Sequence, residues 1–78
     1  MQTGSSVALT RDVPEYGLKP GDIGVIAFVW RPGEAYEVDF VTLTGRLIAG
    51  LALQAADIRP LEDNEIANAR TIVRAANQ

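Results

Sequence analysis

The sequence contains no cysteine and no histidine. That double absence removes disulfide staples, zinc-finger sites, thiol nucleophiles, Ser-His-Asp triads and haem ligation. Lysine is scarce: Lys19 stands alone, and six arginines are scattered at positions 11, 31, 46, 59, 70 and 74. Ten acidic residues against seven basic ones leave a net charge of −3. Phosphate backbones are bound by clustered Lys and Arg, so this composition disfavours nucleic acid. Also missing is the run of about 18 apolar residues that a membrane span requires. Met1 to Ser6 lack the basic start and apolar stretch of a leader. The expected location is cytoplasmic, with which the lack of cysteine agrees.

What is present describes a small globular domain. Of 78 residues, 47% are hydrophobic and 22% charged, with only four Pro and seven Gly, a balance that disordered and collagen-like chains do not have. By size scaling, a chain of this length buries roughly 62% of its extended surface on folding, which is marginal but sufficient.

Residues 1–5 are small and polar and read as a disordered N-terminal tail. Residues 6–61 read as a β domain. Val7 and Leu9 alternate with Ala8 and Thr10 in a first short strand, and a long loop follows. Lys19-Pro20-Gly21-Asp22 within that loop has the Pro and Gly of a type II turn. Asp22 to Trp30 is rich in Ile, Val, Phe and Trp and is apolar on both parities, with Gly24 as a candidate bulge that exchanges them. Arg31-Pro32-Gly33-Glu34 closes that strand. Tyr36, Val38 and Phe40 then alternate with Glu37 and Asp39, as one buried and one wet face require. A turn at Leu43-Thr44-Gly45-Arg46 leads to Leu47–Leu53, in which Leu47, Ala49, Leu51 and Leu53 share a face. Ile58 to Leu61 makes a last strand, which Pro60 confines to an edge or an end. Five short strands, a long first loop and tight hairpins predict a mainly β fold, a small SH3-like five-stranded barrel.

Beyond Leu61 the period changes. Residues 62–76 hold no Gly or Pro, and Ile66, Ala69, Val73 and Ala76 recur at helical spacing. Acids cluster at the start and Arg70 and Arg74 near the end, as the helix dipole favours. The spacing predicts a C-terminal amphipathic α-helix. About fifteen residues make only a marginal helix alone in water, so its stripe needs a packing partner.

The string Thr10-Arg11-Asp12-Val13-Pro14-Glu15-Tyr16-Gly17-Leu18-Lys19-Pro20-Gly21-Asp22-Ile23-Gly24 resembles a family of short bacterial proteins known as a domain of unknown function. So do Glu34-Ala35-Tyr36-Glu37-Val38-Asp39-Phe40 and the ending Asp57-Ile58-Arg59-Pro60-Leu61. The Gly-Asp-x-Gly turn is also similar to the entry of the KOW and nitrile hydratase beta-subunit barrels. The resemblance covers about residues 7–61 and implies an SH3-like fold without established catalysis. Its members sometimes stand beside toxin-like genes, as an antitoxin or immunity partner would. The sequence departs from the pattern at Phe28, a position that looks polar in typical relatives, and in the length of the segment from Glu62 onward. Both add apolar surface.

The candidate sites follow from that surplus. Ile26, Phe28 and Trp30 share a parity, and a barrel this small needs only one inward parity per strand. If they face outward they form a sticky patch, with Phe28 and Trp30 as aromatic anchors for a second copy or another protein. The opposing reading is that the terminal helix covers the patch through Ile66, Ala69, Val73 and Ala76. Glu37 and Asp39 are either an acid pair or weak cation site, or simply solvated exterior. Asp12, Glu15 and Asp22 in the first loop either read a basic ligand or accept turn N–H groups. Gly21-Asp22-Ile23-Gly24 lacks the Lys-Ser/Thr pair and following helix of a phosphate loop. The expectation is a non-catalytic protein-interaction module without metal or cofactor, a homodimer or antitoxin-like partner. The alternative is a KOW-like nucleic-acid binder, for which Arg11, Lys19, Arg31 and Arg46 must converge. An enzyme would need a deep pocket around a perturbed carboxylate.

Overall fold

The structure, a computed structural model, describes residues 1–73. The alternating segments become five strands: β1 (Ser6–Leu9), β2 (Ile23–Arg31), β3 (Ala35–Val41), β4 (Leu47–Gln54) and β5 (Ile58–Pro60). They form one sheet in the order β4-β3-β2-β1-β5, antiparallel throughout. Short 3-10 turns at Pro14–Tyr16 and Ala55–Asp57 interrupt the first loop and the corner before β5.

Local chemistry sets the turns. Asp22 N–H donates to Lys19 O at 3.0 Å with Gly21 at φ 94°, the left-handed third position that a type II turn reserves for glycine. The Asp22 carboxylate closes the same turn by accepting the Lys19 N–H at 2.8 Å. Arg31–Glu34 repeats the design, with Pro32 second and Gly33 third at φ 77°. Between β3 and β4, Gly45 N–H donates to Thr42 O at 2.9 Å, and the Thr42 hydroxyl accepts the Arg46 N–H at 2.9 Å.

Val7, Leu9, Ile26, Tyr36, Val38, Phe40, Leu53 and Ile58 meet on the inner side of the sheet, and Val13 and Leu18 seal it from the first loop. The Tyr36 hydroxyl, carried inside with its ring, is satisfied by the Gly33 N–H at 2.8 Å. Gly24 serves packing rather than parity. A Cβ there would lie 2.6 Å from Val38 Cγ1 and 2.9 Å from Phe40 Cε1, so its missing side chain is the space those two occupy. Within residues 1–5, read from the sequence as a disordered tail, Gly4 and Ser5 extend the β1–β2 pairing, Gly4 N–H donating to Ile26 O at 2.8 Å and Ile26 N–H to Ser5 O at 2.9 Å.

Two expectations are corrected. The sheet does not close into a barrel: β5 is three residues long, pairs among the described residues with β1 alone and ends at Pro60, which has no N–H to give. Nor does a helix form over the described part of residues 62–76, whose last positions, including Arg74 and Ala76, lie outside the described residues. The reasons are visible in the side chains. Asn64, Asn68, Thr71, Ile72 and Val73 are weak helix formers. Glu65 accepts the Glu62 N–H at 2.7 Å and holds Arg59 in a two-pronged pair at 2.8 and 2.6 Å, which ties this turn to the end of β5. The segment from Leu61 to Val73 is instead an irregular strap. It ends on the first loop, where Arg70 donates to Gly17 O at 3.0 Å and to both oxygens of Asp22, and where Ile72 packs against the core.

Candidate interaction surface

The strict alternation of β3 sends Tyr36, Val38 and Phe40 inward and leaves Glu37 and Asp39 on the opposite face. Register then builds rows across that outer face. Val25, Asp39 and Gly50 stand side by side, and Phe28, Glu37 and Ala52 form the next row.

Strand β2 does not keep one parity. A register shift between Ile26 and Phe28 leaves Ala27 as the extra residue, and a second shift lies between Val29 and Arg31. Ile26, opposite Val38, is therefore a core residue only 1% exposed, which corrects the expectation that it shares a face with Phe28 and Trp30. Past the bulge, Val29 takes over the packing role, while Phe28 and Trp30 lie outside at 51% and 58% exposure. Their rings meet edge to face, with centroids 4.6 Å apart and planes at 66°.

The aromatic pair and the acids are physically joined. The Trp30 indole Nε1–H donates to Glu37 Oε1 at 3.3 Å. A Cβ at Gly50 would fall 3.0 Å from Asp39 Oδ1 and 3.4 Å from Glu37 Oε2, so both carboxylates lean over the bare backbone of β4. No Lys or Arg among the described residues pairs with either acid. The described residues also hold no cluster of three or more acidic, His or Cys side chains suited to a metal. The arrangement is a half-exposed aromatic corner beside two unpaired negative charges, which offers apolar area and attraction for a cation.

The remaining residues singled out in the sequence go elsewhere. Ile66 and Val73 are 91% and 77% exposed, and Ala69 is exposed too, so the strap covers nothing with them. Ile66 lines an open cleft of about 830 Å³ with Leu18, Ile23, Leu43 and Leu47, at the Ile23 end of β2. Trp30 stands at the other end of that strand, about 23 Å away at the usual rise. Ala76 lies outside the described residues. In the first loop, Asp22 is consumed by the turn and by Arg70.

The strap's ion pairs are the strongest electrostatic features. Arg59 holds the Glu65 carboxyl down from 4.5 to about 2, helped by the Glu62 N–H, and Glu65 raises Arg59 in return. Hydrogen bonding to Asp22 likewise raises Arg70. These groups fasten chain to chain and leave the outer face untouched. Sequence reading did not find the Arg70–Asp22 link, since residues 48 positions apart carry no local signal. The seat of the two acids was not found either; the one signal that could have shown it is a lone glycine inside an apolar strand, Gly50.

No helix among the described residues is long and apolar enough to cross a membrane. Comparison with curated proteins and with solved structures yields no match to this chain. A family model does match, over residues 5–60, the stretch that spans all five strands and stops where the strap begins, and on that ground the chain belongs to the family described as a domain of unknown function, DUF4926.

Proposed function

We propose that this protein is a non-catalytic protein-interaction module that docks another protein on the outer face of β2 and β3, in the manner of an antitoxin- or immunity-like partner or an oligomeric adaptor. The observation that carries the reading is the exposed Phe28–Trp30 pair above a core already complete without it. Burying one such side chain is worth about 1.5–3 kcal/mol, and aromatic anchors dominate interface energetics. Glu37 and Asp39, without a cation of their own among the described residues, favour a partner that presents Arg or Lys there. The strand order, the long first loop and the 3-10 turn before β5 support an SH3-like relationship for this open sheet. A bacterial, cytoplasmic setting accords with the resemblance and with the cysteine-free composition.

The nucleic-acid alternative has weaker support. Arg11 is paired with Asp57 at 2.9 Å and Arg31 lies 3.8 Å from Glu34, while Arg31 and Arg46 sit in the turns at opposite ends of β3. Lys19 and Arg46 do line one cleft, beside Arg70, but Arg11 and Arg31 lie away from it, so the four cations do not converge.

The test is Phe28→Ser combined with Trp30→Ser, read by co-purification with the products of neighbouring genes and by thermal unfolding. Loss of association with a nearly unchanged melting temperature is expected. Association that survives the double change would remove the proposal. Trp30 is the sole tryptophan, so its emission gives a direct readout: a blue shift on partner binding is expected, from an indole that starts largely in water.

A further inference from the structure

The cleft at the Ile23 end of β2 is walled on three sides, by the Lys19–Asp22 turn, by the Thr42–Arg46 turn and by the strap from Ile66 to Ile72. Its volume of about 830 Å³ is that of a small-molecule site. Two kinds of side chain line it. Ile23, Val41, Leu43, Leu47 and Ile66 are aliphatic and exposed. Lys19 and Arg46 are cations, and neither is paired with an acid among the described residues. Arg70 is the third cation of the lining, but it is spent on Asp22 and Gly17 O. Asp22 is the lining's one acid, and Arg70 and the Lys19 N–H already take its two oxygens. Three cations against one anion leave the cleft positive in a chain whose net charge is −3.

We propose that this cleft binds a small aliphatic carboxylate, its head held by Lys19 and Arg46 and its chain lying along Ile23, Leu43, Leu47 and Ile66. Charge selects the head: two unpaired cations attract an anion, and the lining's acid is already neutralised. The walls select the chain. The one aromatic ring on the lining, Phe40, is 1% exposed, so a nucleobase finds no platform to stack on, whereas a hydrocarbon meets aliphatic side chains throughout. Walls on three sides admit an inserted molecule more readily than the flat face of another protein. Both cations also spring from fixed turns, the Lys19 N–H held by the Asp22 carboxylate at 2.8 Å and the Arg46 N–H by the Thr42 hydroxyl at 2.9 Å. Less order then has to be imposed when the anion arrives. The site stands apart from the docking face proposed above, since Trp30 lies about 23 Å away along β2.

The test is titration of the full chain with octanoate, followed by NMR. Saturable shifts at Leu43, Leu47 and Ile66 are expected, with the Trp30 emission unmoved. Affinity should rise from hexanoate to decanoate, because each added methylene buries more apolar surface. Octanol keeps the chain and acetate keeps the charge; each should bind about ten-fold more weakly than octanoate, or worse. Lys19→Gln with Arg46→Gln should weaken octanoate about ten-fold, and Lys19→Arg with Arg46→Lys should keep it. Should the glutamine pair fail to fold, octanoate, octanol and acetate compared on the unmodified chain still decide the matter. Absence of saturable shifts, octanol binding as well as octanoate, or shifts at Trp30 in place of the cleft would each overturn the proposal. So would a short oligonucleotide that binds through Lys19 and Arg46 where octanoate does not.

Discussion

Residues 6–60 and residues 61–73 of this chain are held in place by different physics. The sheet rests on ladders of backbone bonds and on a shared core, so each strand's position is supported by its neighbours. The strap rests on two arginine pins, Arg59–Glu65 and Arg70–Asp22, and on one apolar contact through Ile72. A periodic pattern is kept where there is a surface to receive it, and is overruled where a few charged pairs and weak helix formers compete with a marginal helix. The sheet should therefore fail as a unit, and the strap by pieces.

Phe40→Ala should have the largest effect. It empties the inner side between Gly24 and Ala49, its cross-strand partners, and is expected to cost about 3–5 kcal/mol in urea unfolding. A cost below about 1 kcal/mol would show that the inner cluster is not what supports the sheet. Arg70→Ala should cost less, about 1–2 kcal/mol, because one partly exposed ion pair and the bond to Gly17 O are lost without opening the core. Its signature is local: faster hydrogen exchange at Leu18 and Ile72 with the β2–β3 ladder unchanged. Equal acceleration in the ladder would erase the distinction between the two regions. The smallest effect belongs to pH. Glu65 is held down to about 2 from 4.5, so its contribution is complete above pH 4.5 and is lost progressively as the pH falls toward 2. NMR titration should find that low midpoint in the native chain and a clearly higher one in Arg59→Gln, where only the Glu62 N–H remains, with the sheet's own signals unmoved in between. An ordinary midpoint in the unmodified chain would mean that the pin is not formed.

The aromatic corner shows how far sequence reading reaches. Phe28 and Trp30 were legible as surplus apolar surface, since one inward parity suffices for a strand in so small a fold. Ile26 was not separable from them, because the bulge at Ala27 follows from the pairing of β2 with β3 and leaves no mark in the spacing of the three residues. Gly24 was read from the sequence as a bulge, yet it makes room for Val38 and Phe40, while Gly50 makes room for two carboxylates. Only the neighbouring strand tells these uses apart.

By itself the sequence determined the five strands, their turns and the inward set on β3, because strand alternation and the Pro-Gly and Gly turns are properties of consecutive residues. The tertiary structure decided what depends on distant partners: the bulge that turns Ile26 inward, the open edge at β4, and the capture of Arg70 by Asp22 that makes the last described segment a strap. A helix over residues 62–76 needed a surface to receive its narrow stripe. The fold supplied charged partners and a seat for Ile72 instead, and left Ile66 and Val73 in water.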